Sequence, residues 1–172
     1  MSGEAGRYQL DVAGGYQIST DPSRMEPLAI WAFLHRQSSW ARGIPYDVVV
    51  RTLDASLNFG LFSPDEEQVG LARVVTDFGQ FAYLCDVYVL PEHRGRGLGR
   101  ALVAAVLAHP ALASLRRIAL DTASPGFYEP FGFCALDNPA HHLERRQSAD
   151  NLWPPPPGPA VEDAGVTRKV DP

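Results

Sequence analysis

The segment from Cys85 to Val106 concentrates the residues whose types and spacing could do chemistry. An apolar run ends at Pro91. The turn Arg94-Gly95-Arg96-Gly97-Leu98-Gly99-Arg100 then leads into Ala101-Leu102-Val103-Ala104-Ala105-Val106. Glycines at alternate positions remove the Cβ atoms that would keep a ligand from the backbone. A helix opening there presents unpaired N–H groups and the positive end of its dipole. Together these make a phosphate cradle, and Arg94, Arg96 and Arg100 add charge for a polyanion. The familiar nucleotide loops have other spacings. Gly-x-x-x-x-Gly-Lys-Ser/Thr is absent, and Gly-x-Gly-x-x-Gly would follow a first strand. Here the spacing is Gly-x-Gly-x-Gly and the turn lies past mid-chain.

The elements that must position this turn alternate in type. Tyr16 to Thr20 reads as a first strand. Met25, Leu28, Ala29 and Ala32 recur at helical spacing up to about Arg36, and Tyr46, Val49, Val50, Leu53 and Leu57 mark a second helix. Strands are expected at Leu57 to Ser63, Gln68 to Thr76 and Gln80 to Leu90. The third helix runs from about Leu98 to Ala108, where Pro110 stops it. Arg117 to Asp121 is a fifth strand, Ser124 to Pro130 a helical turn, and Phe133 to Leu136 a final strand. Hairpins mixed with a crossover helix predict an α+β domain around one sheet. Its span is residues 15–144. Residues 1–14, with Gly3, Gly6 and Gly14-Gly15, read as a flexible arm. Residues 145–172, with Pro154 to Pro157 in a row, read as a Pro-rich disordered tail, because proline locks φ and removes a donor.

Composition narrows the function classes. A chain of 172 residues, 45% hydrophobic and 20% charged, suits one packed domain. A net charge of −5 argues against nucleic acid as the partner. Cys85 and Cys134 form no C-x-x-C pair, and His35, His93, His109, His141 and His142 match no metal spacing, so no metal is expected. No Gly-x-Ser-x-Gly elbow is present. No apolar run reaches the roughly 20 residues that span a bilayer, and the N-terminus lacks a signal-peptide core. The expected location is cytoplasmic, without membrane partners.

Three stretches resemble one known family. Arg94, Gly97 and Gly99 reproduce the Arg-x-x-Gly-x-Gly order of motif A in the GNAT family of N-acetyltransferases. The run Val89-Leu90-Pro91-Glu92-His93-Arg94 into it is similar as well. So is Gly126-Phe127-Tyr128-Glu129-Pro130-Phe131-Gly132-Phe133, about 30 residues later, with its tyrosine and Phe-Gly-Phe turn. The resemblance covers roughly residues 15 to 140. It implies the GNAT fold: a central mixed, mostly antiparallel sheet splayed between the fourth and fifth expected strands and flanked by about four helices. It also implies acetyl-CoA as co-substrate, with its pantetheine arm at Val87, Tyr88 and Val89 and its pyrophosphate on Arg94 through Arg100.

The implied reaction is acetyl transfer from acetyl-CoA to a primary amine by direct attack, through a tetrahedral intermediate. By similarity Tyr128 is the general acid near the sulfur. Its phenol, with an ordinary pKa near 10, is a competent donor at neutral pH. A backbone N–H of the fourth strand, at Val87, would polarise the carbonyl. Asp86 is the carboxylate on that strand, and three roles stand open for it: base, anchor for a cationic acceptor, or structural aspartate. Trp40, Asn58, Phe59, Arg73 and Tyr83, with Ser38 and Ser39, are the candidate acceptor residues. A small-molecule amine is the expected acceptor. A protein or peptide amine, and a non-catalytic acyl-CoA sensor, are the alternatives, and the family admits homodimers.

Overall fold

Two apolar faces of one sheet organise the chain. The computed structural model describes residues 7–145. In chain order the elements are β1 (Gln9–Val12), β2 (Tyr16–Ser19), α1 (Pro27–Arg36), α2 (Tyr46–Asp54), β3 (Leu57–Phe62), β4 (Gln68–Thr76), β5 (Phe81–Val89), α3 (Leu98–Ala108), β6 (Arg117–Leu120) and α4 (Pro125–Tyr128). The six strands lie in sequence order, antiparallel from β1 to β5, with β6 added parallel to β5. The parallel pair requires a crossover, and α3 is the helix that supplies it.

Successive strand residues point to opposite faces, and the core divides accordingly. Ala72, Val74, Leu84 and Val89 pack with Leu98, Leu102, Ala105 and Val106 of α3. Their neighbours Leu71 and Tyr88 pack instead with Ile30, Phe33 and Leu34 of α1 and Val49 and Leu53 of α2. The second cluster includes an aromatic stack, Phe33 on Tyr88, with ring centroids 3.8 Å apart and planes 9° apart. Burial of this kind contributes about 1.5–3 kcal/mol per large apolar side chain.

Two expectations change. The segment read as a flexible arm contains β1, which pairs Gln9–Val12 with Tyr16–Ser19. Polar Gln9 and Asp11 hid it, because β1 is an edge strand with its first three residues exposed. The final strand expected at Phe133 to Leu136 does not form. Phe133 packs on the core, but the three residues after it are exposed, with Leu136 at 42%, so no apolar face seats them against the sheet. Among the described residues β6 is the other sheet edge, and at four residues it is short, as exposed edges tend to be. The Pro-rich tail, apart from Arg145, lies outside the described residues.

The β4–β5 hairpin is closed by one carboxylate. Asp77 Oδ1 accepts from the amides of Gly79, Gln80 and Phe81 at 2.9, 2.8 and 3.0 Å. These donors, Phe81 foremost, hold its acid at about 2, below the ordinary 3.8. A depressed folded-state pKa stabilises above the unfolded value and is lost as pH falls through the folded one. The stability difference between wild type and Asp77→Ala in urea should therefore be full above about pH 4 and shrink steadily toward pH 2. A difference that stays constant over that window would contradict this account.

Candidate active site

The site is built where a sheet pairing stops. β5 pairs with β6 from Phe81↔Arg117 to Leu84↔Leu120 and no further. From Cys85 to Val89, among the described residues, the strand has β4 on one side only. On that side Arg73 opposes Cys85 and Leu71 opposes Tyr88, so β5 carries one residue more than β4 between the two pairs. This bulge falls at Asp86, whose φ is +50°. A left-handed non-glycine residue costs about 1–3 kcal/mol and persists where its surroundings over-determine it.

Those surroundings are specific. Arg73 Nε donates to Asp86 Oδ2 at 2.7 Å, and the Trp40 indole N–H donates to Oδ1 at 2.8 Å. Arg73 also reaches Ser56 Oγ at 3.0 Å. Both members of the ion pair are largely buried, with side-chain exposures of 15% and 11%. The loop between α1 and α2 presents Trp40 through a buried turn: Ser38 Oγ donates to the Leu34 carbonyl at 2.6 Å and accepts from the Ala41 amide at 3.1 Å. The indole itself stays half exposed.

The phosphate-type turn lies at the C-terminal end of β5. A one-turn 3-10 helix, Pro91–His93, leads into it. Arg94 Nε donates to the Val89 carbonyl at 2.8 Å and so ties the turn to its strand. Gly95 and Gly97 have φ of +76° and +75°, and a Cβ on either would meet nothing within 4 Å. Both face open space, as a cradle must. Gly97 caps α3 without a side-chain bond, and the first return amide is Ala101 N–H to the Gly97 carbonyl. The N–H groups of Leu98, Gly99 and Arg100 thus have no acceptor within the helix. These features fit an anionic group.

α4 stands across from this turn. A Cβ at Gly99 would lie 3.4 Å from the Phe127 ring, so α4 rests on the first turn of α3. Tyr128, the next residue, is half-buried and packs edge-on to Phe127 and Phe133. Burial pushes its phenol above the ordinary 10, which keeps the proton on at neutral pH. The thiol of Cys85 is pushed up to about 11, chiefly by burial. The thiol therefore keeps its proton near pH 7.

The structure brings Trp40, Arg73 and Asp86 together, with Ser38 shaping the loop and Tyr83 on the exposed stretch of β5 nearer its start. Asn58 stands opposite Arg73 in the β3–β4 register, but its amide is engaged elsewhere, and Phe59 lies in the core away from them. Asn58 donates its amide to the Leu53 and Ser56 carbonyls at 2.8 and 3.2 Å and so closes the α2–β3 turn. Phe59 is fully buried in the α3-side core, with the rings of Tyr8 and His109 around it. Tyr88 is buried on Phe33, and its hydroxyl is pushed far up by burial. Sequence reasoning missed Tyr16, whose buried hydroxyl lies 2.8 Å from His93 Nδ1 and 2.8 Å from Arg96 Nη1. These residues are 77 and 80 positions away, and no local pattern signals such a contact.

Comparison with known proteins agrees with this fold. Residues 25–133 match the acetyltransferase (GNAT) family, and the chain belongs to that family. A structure from Xanthomonas campestris pv. campestris, assigned to the same family, is 45% identical with a TM-score of 0.75, covering 77% of this chain and 93% of its own. A Gibberella zeae protein named as an acetyltransferase is 39% identical over 105 residues, 51% of this chain. The match spans 59% of that relative's length. A Deinococcus radiodurans R1 structure, 22% identical with a TM-score of 0.62, covers 80% of this chain and 92% of its own, and shares the fold. No helix of the described residues is long and apolar enough to cross a membrane, and among them no three His, Cys, Asp or Glu side chains cluster as metal ligands would.

Removing Asp86 would leave the buried Arg73 charge without its carboxylate. Asp86→Ala should cost about 3 kcal/mol in denaturant unfolding, the magnitude typical of breaking one side of a buried pair. A loss under about 0.5 kcal/mol, the scatter of surface substitutions, would show that the pair does not hold the bulge.

Proposed function

We propose that this protein transfers the acetyl group of acetyl-CoA to the primary amine of a small molecule by direct attack of the amine on the thioester. The observation that carries the reading is the open Gly95/Gly97 turn at the head of α3, placed at the end of the strand whose pairing to β6 has lapsed. Acetyl-CoA would supply the activated acyl group and a diphosphate. On the protein side, the amides of Leu98, Gly99 and Arg100 face the diphosphate, with Arg94, Arg96 and Arg100 supplying charge. Val87, Tyr88 and Val89 offer backbone along the gap for the pantetheine arm.

Tyr128 is the proton donor in this reading. Its raised pKa keeps it protonated, and its place beside the first turn of α3 sets it across from β5. Asp86 is better suited to anchoring than to accepting a proton. Both of its oxygens are already engaged, by Arg73 and Trp40, and a base would have to surrender one of them. The half-exposed Trp40 indole, carried on that carboxylate, offers an aromatic face to a cationic amine. Direct attack is also favoured over a cysteine-borne acyl group, because the Cys85 thiol holds its proton.

Three outcomes test the reading. Gly97→Trp, which combines a strained φ with a filled cradle, should raise the calorimetric Kd for acetyl-CoA by at least about tenfold. Tyr128→Phe should lower kcat by about 10²–10⁴ and leave acetyl-CoA affinity within about threefold. Cys85→Ala should retain turnover on any amine found in a panel of polyamines, amino acids and aminoglycosides. Full activity of Tyr128→Phe across pH would remove the tyrosine from the mechanism. Tight acetyl-CoA binding with no turnover on any amine would favour a sensor.

A further inference from the structure

The arginines of the turn are not equally placed. Arg94 directs one guanidinium N–H to the Val89 carbonyl, within its own strand and turn. Arg96 is held from outside the turn, by a residue of the N-terminal hairpin. Tyr16 opens β2 with its ring in the α3-side core at 4% exposure. Its hydroxyl emerges beneath the turn, 2.8 Å from Arg96 Nη1 and 2.8 Å from His93 Nδ1. The His93 and Tyr16 rings meet edge-on at 5.7 Å, and the Arg96 guanidinium carbon lies 6.0 Å from the Tyr16 ring centroid.

Hydrogen-bond chemistry gives this arrangement a direction. A guanidinium only donates, so the Tyr16 oxygen accepts from Arg96. The phenol hydrogen is then available to His93 Nδ1, which can accept it when the imidazole proton is on Nε2. A single Arg96 N–H is used on Tyr16, and a guanidinium carries five. An exposed arginine would ordinarily lose several rotors when it grips an anion. Here that ordering precedes the ligand, and preorganisation of this kind appears as affinity.

We propose that Tyr16 and His93 form a positioning pair that sets Arg96 for the donor's phosphates, so that affinity for acetyl-CoA depends on a buried hydroxyl at the start of β2. The pair acts through Arg96 and does not touch the reacting atoms. This rests on the reading of the turn as the donor site.

The test is a double-mutant cycle with acetyl-CoA and with CoA, read by calorimetry and steady-state kinetics. Tyr16→Phe keeps the buried ring and removes the hydroxyl. It should raise Kd and the KM for acetyl-CoA by about five- to tenfold while kcat stays within about twofold. Arg96→Met should weaken binding at least as much, and adding Tyr16→Phe to it should change nothing further. His93→Gln retains an acceptor for the phenol and should weaken binding less than His93→Leu. Unchanged affinity in Tyr16→Phe, or losses that multiply in the double variant, would overturn the proposal. Wild-type protein that binds no acetyl-CoA would instead overturn the donor site itself.

Discussion

The structure turns on a parallel strand pair that is made for four residues and then abandoned. Up to Leu84 and Leu120, β5 and β6 satisfy each other's backbone. Beyond that, β5 continues for five residues paired to β4 alone among the described residues, and the Val89 carbonyl is taken by Arg94 Nε. Buried backbone groups rarely go without partners, so the gap this leaves beside β5 is a place for something else to pair. The crossover helix α3 returns to the sheet at this level, and its uncapped N-terminus adds three more free amides beside the gap. One constraint thus creates both an unpaired strand edge and an electropositive helix end, and the two meet at the turn of residues 94–100.

The remaining architecture keeps that opening in place. The Arg73–Asp86 pair, with Trp40 on the second oxygen, fixes the bulge that bends β5. Phe127 lies over Gly99 and locks α4, with Tyr128, to the first turn of α3. Tyr16 brings the N-terminal hairpin under the same turn. Each contact links elements distant in sequence, so the opening is held by tertiary packing rather than by local propensity. Placing Asp86 in the left-handed region at the point of bending is the kind of strain that accumulates at functional sites.

Much of this was legible in the residues themselves. The end of β5 and the bounds of α3 follow from Pro91, the glycine turn and Pro110. The cradle follows from alternate glycines before an apolar helix. The less legible parts have physical causes. β1 alternates polar and apolar residues, Gln9-Leu10-Asp11-Val12, but over four residues only, and its Leu10 is exposed. Phe133 to Leu136 has an apolar look but one inward residue, and it remains unpaired. Asn58 and Phe59 share a strand with no accessible face at their level, so they serve a turn and the core. The partners of Asp86 lie 13 and 46 positions away, and those of Tyr16 lie farther still. Spacing identifies which chemistry the turn can do, whereas the supporting contacts come from topology.

The most direct test of the account is amide hydrogen exchange across residues 94–100 as acetyl-CoA is added to saturation. If the turn receives the diphosphate, the amides of Leu98, Gly99 and Arg100 gain protection while those in the middle of α3, already bonded within the helix, change little. Exchange at these three amides that is the same with and without acetyl-CoA, in protein that binds it, would place the diphosphate elsewhere and contradict the account.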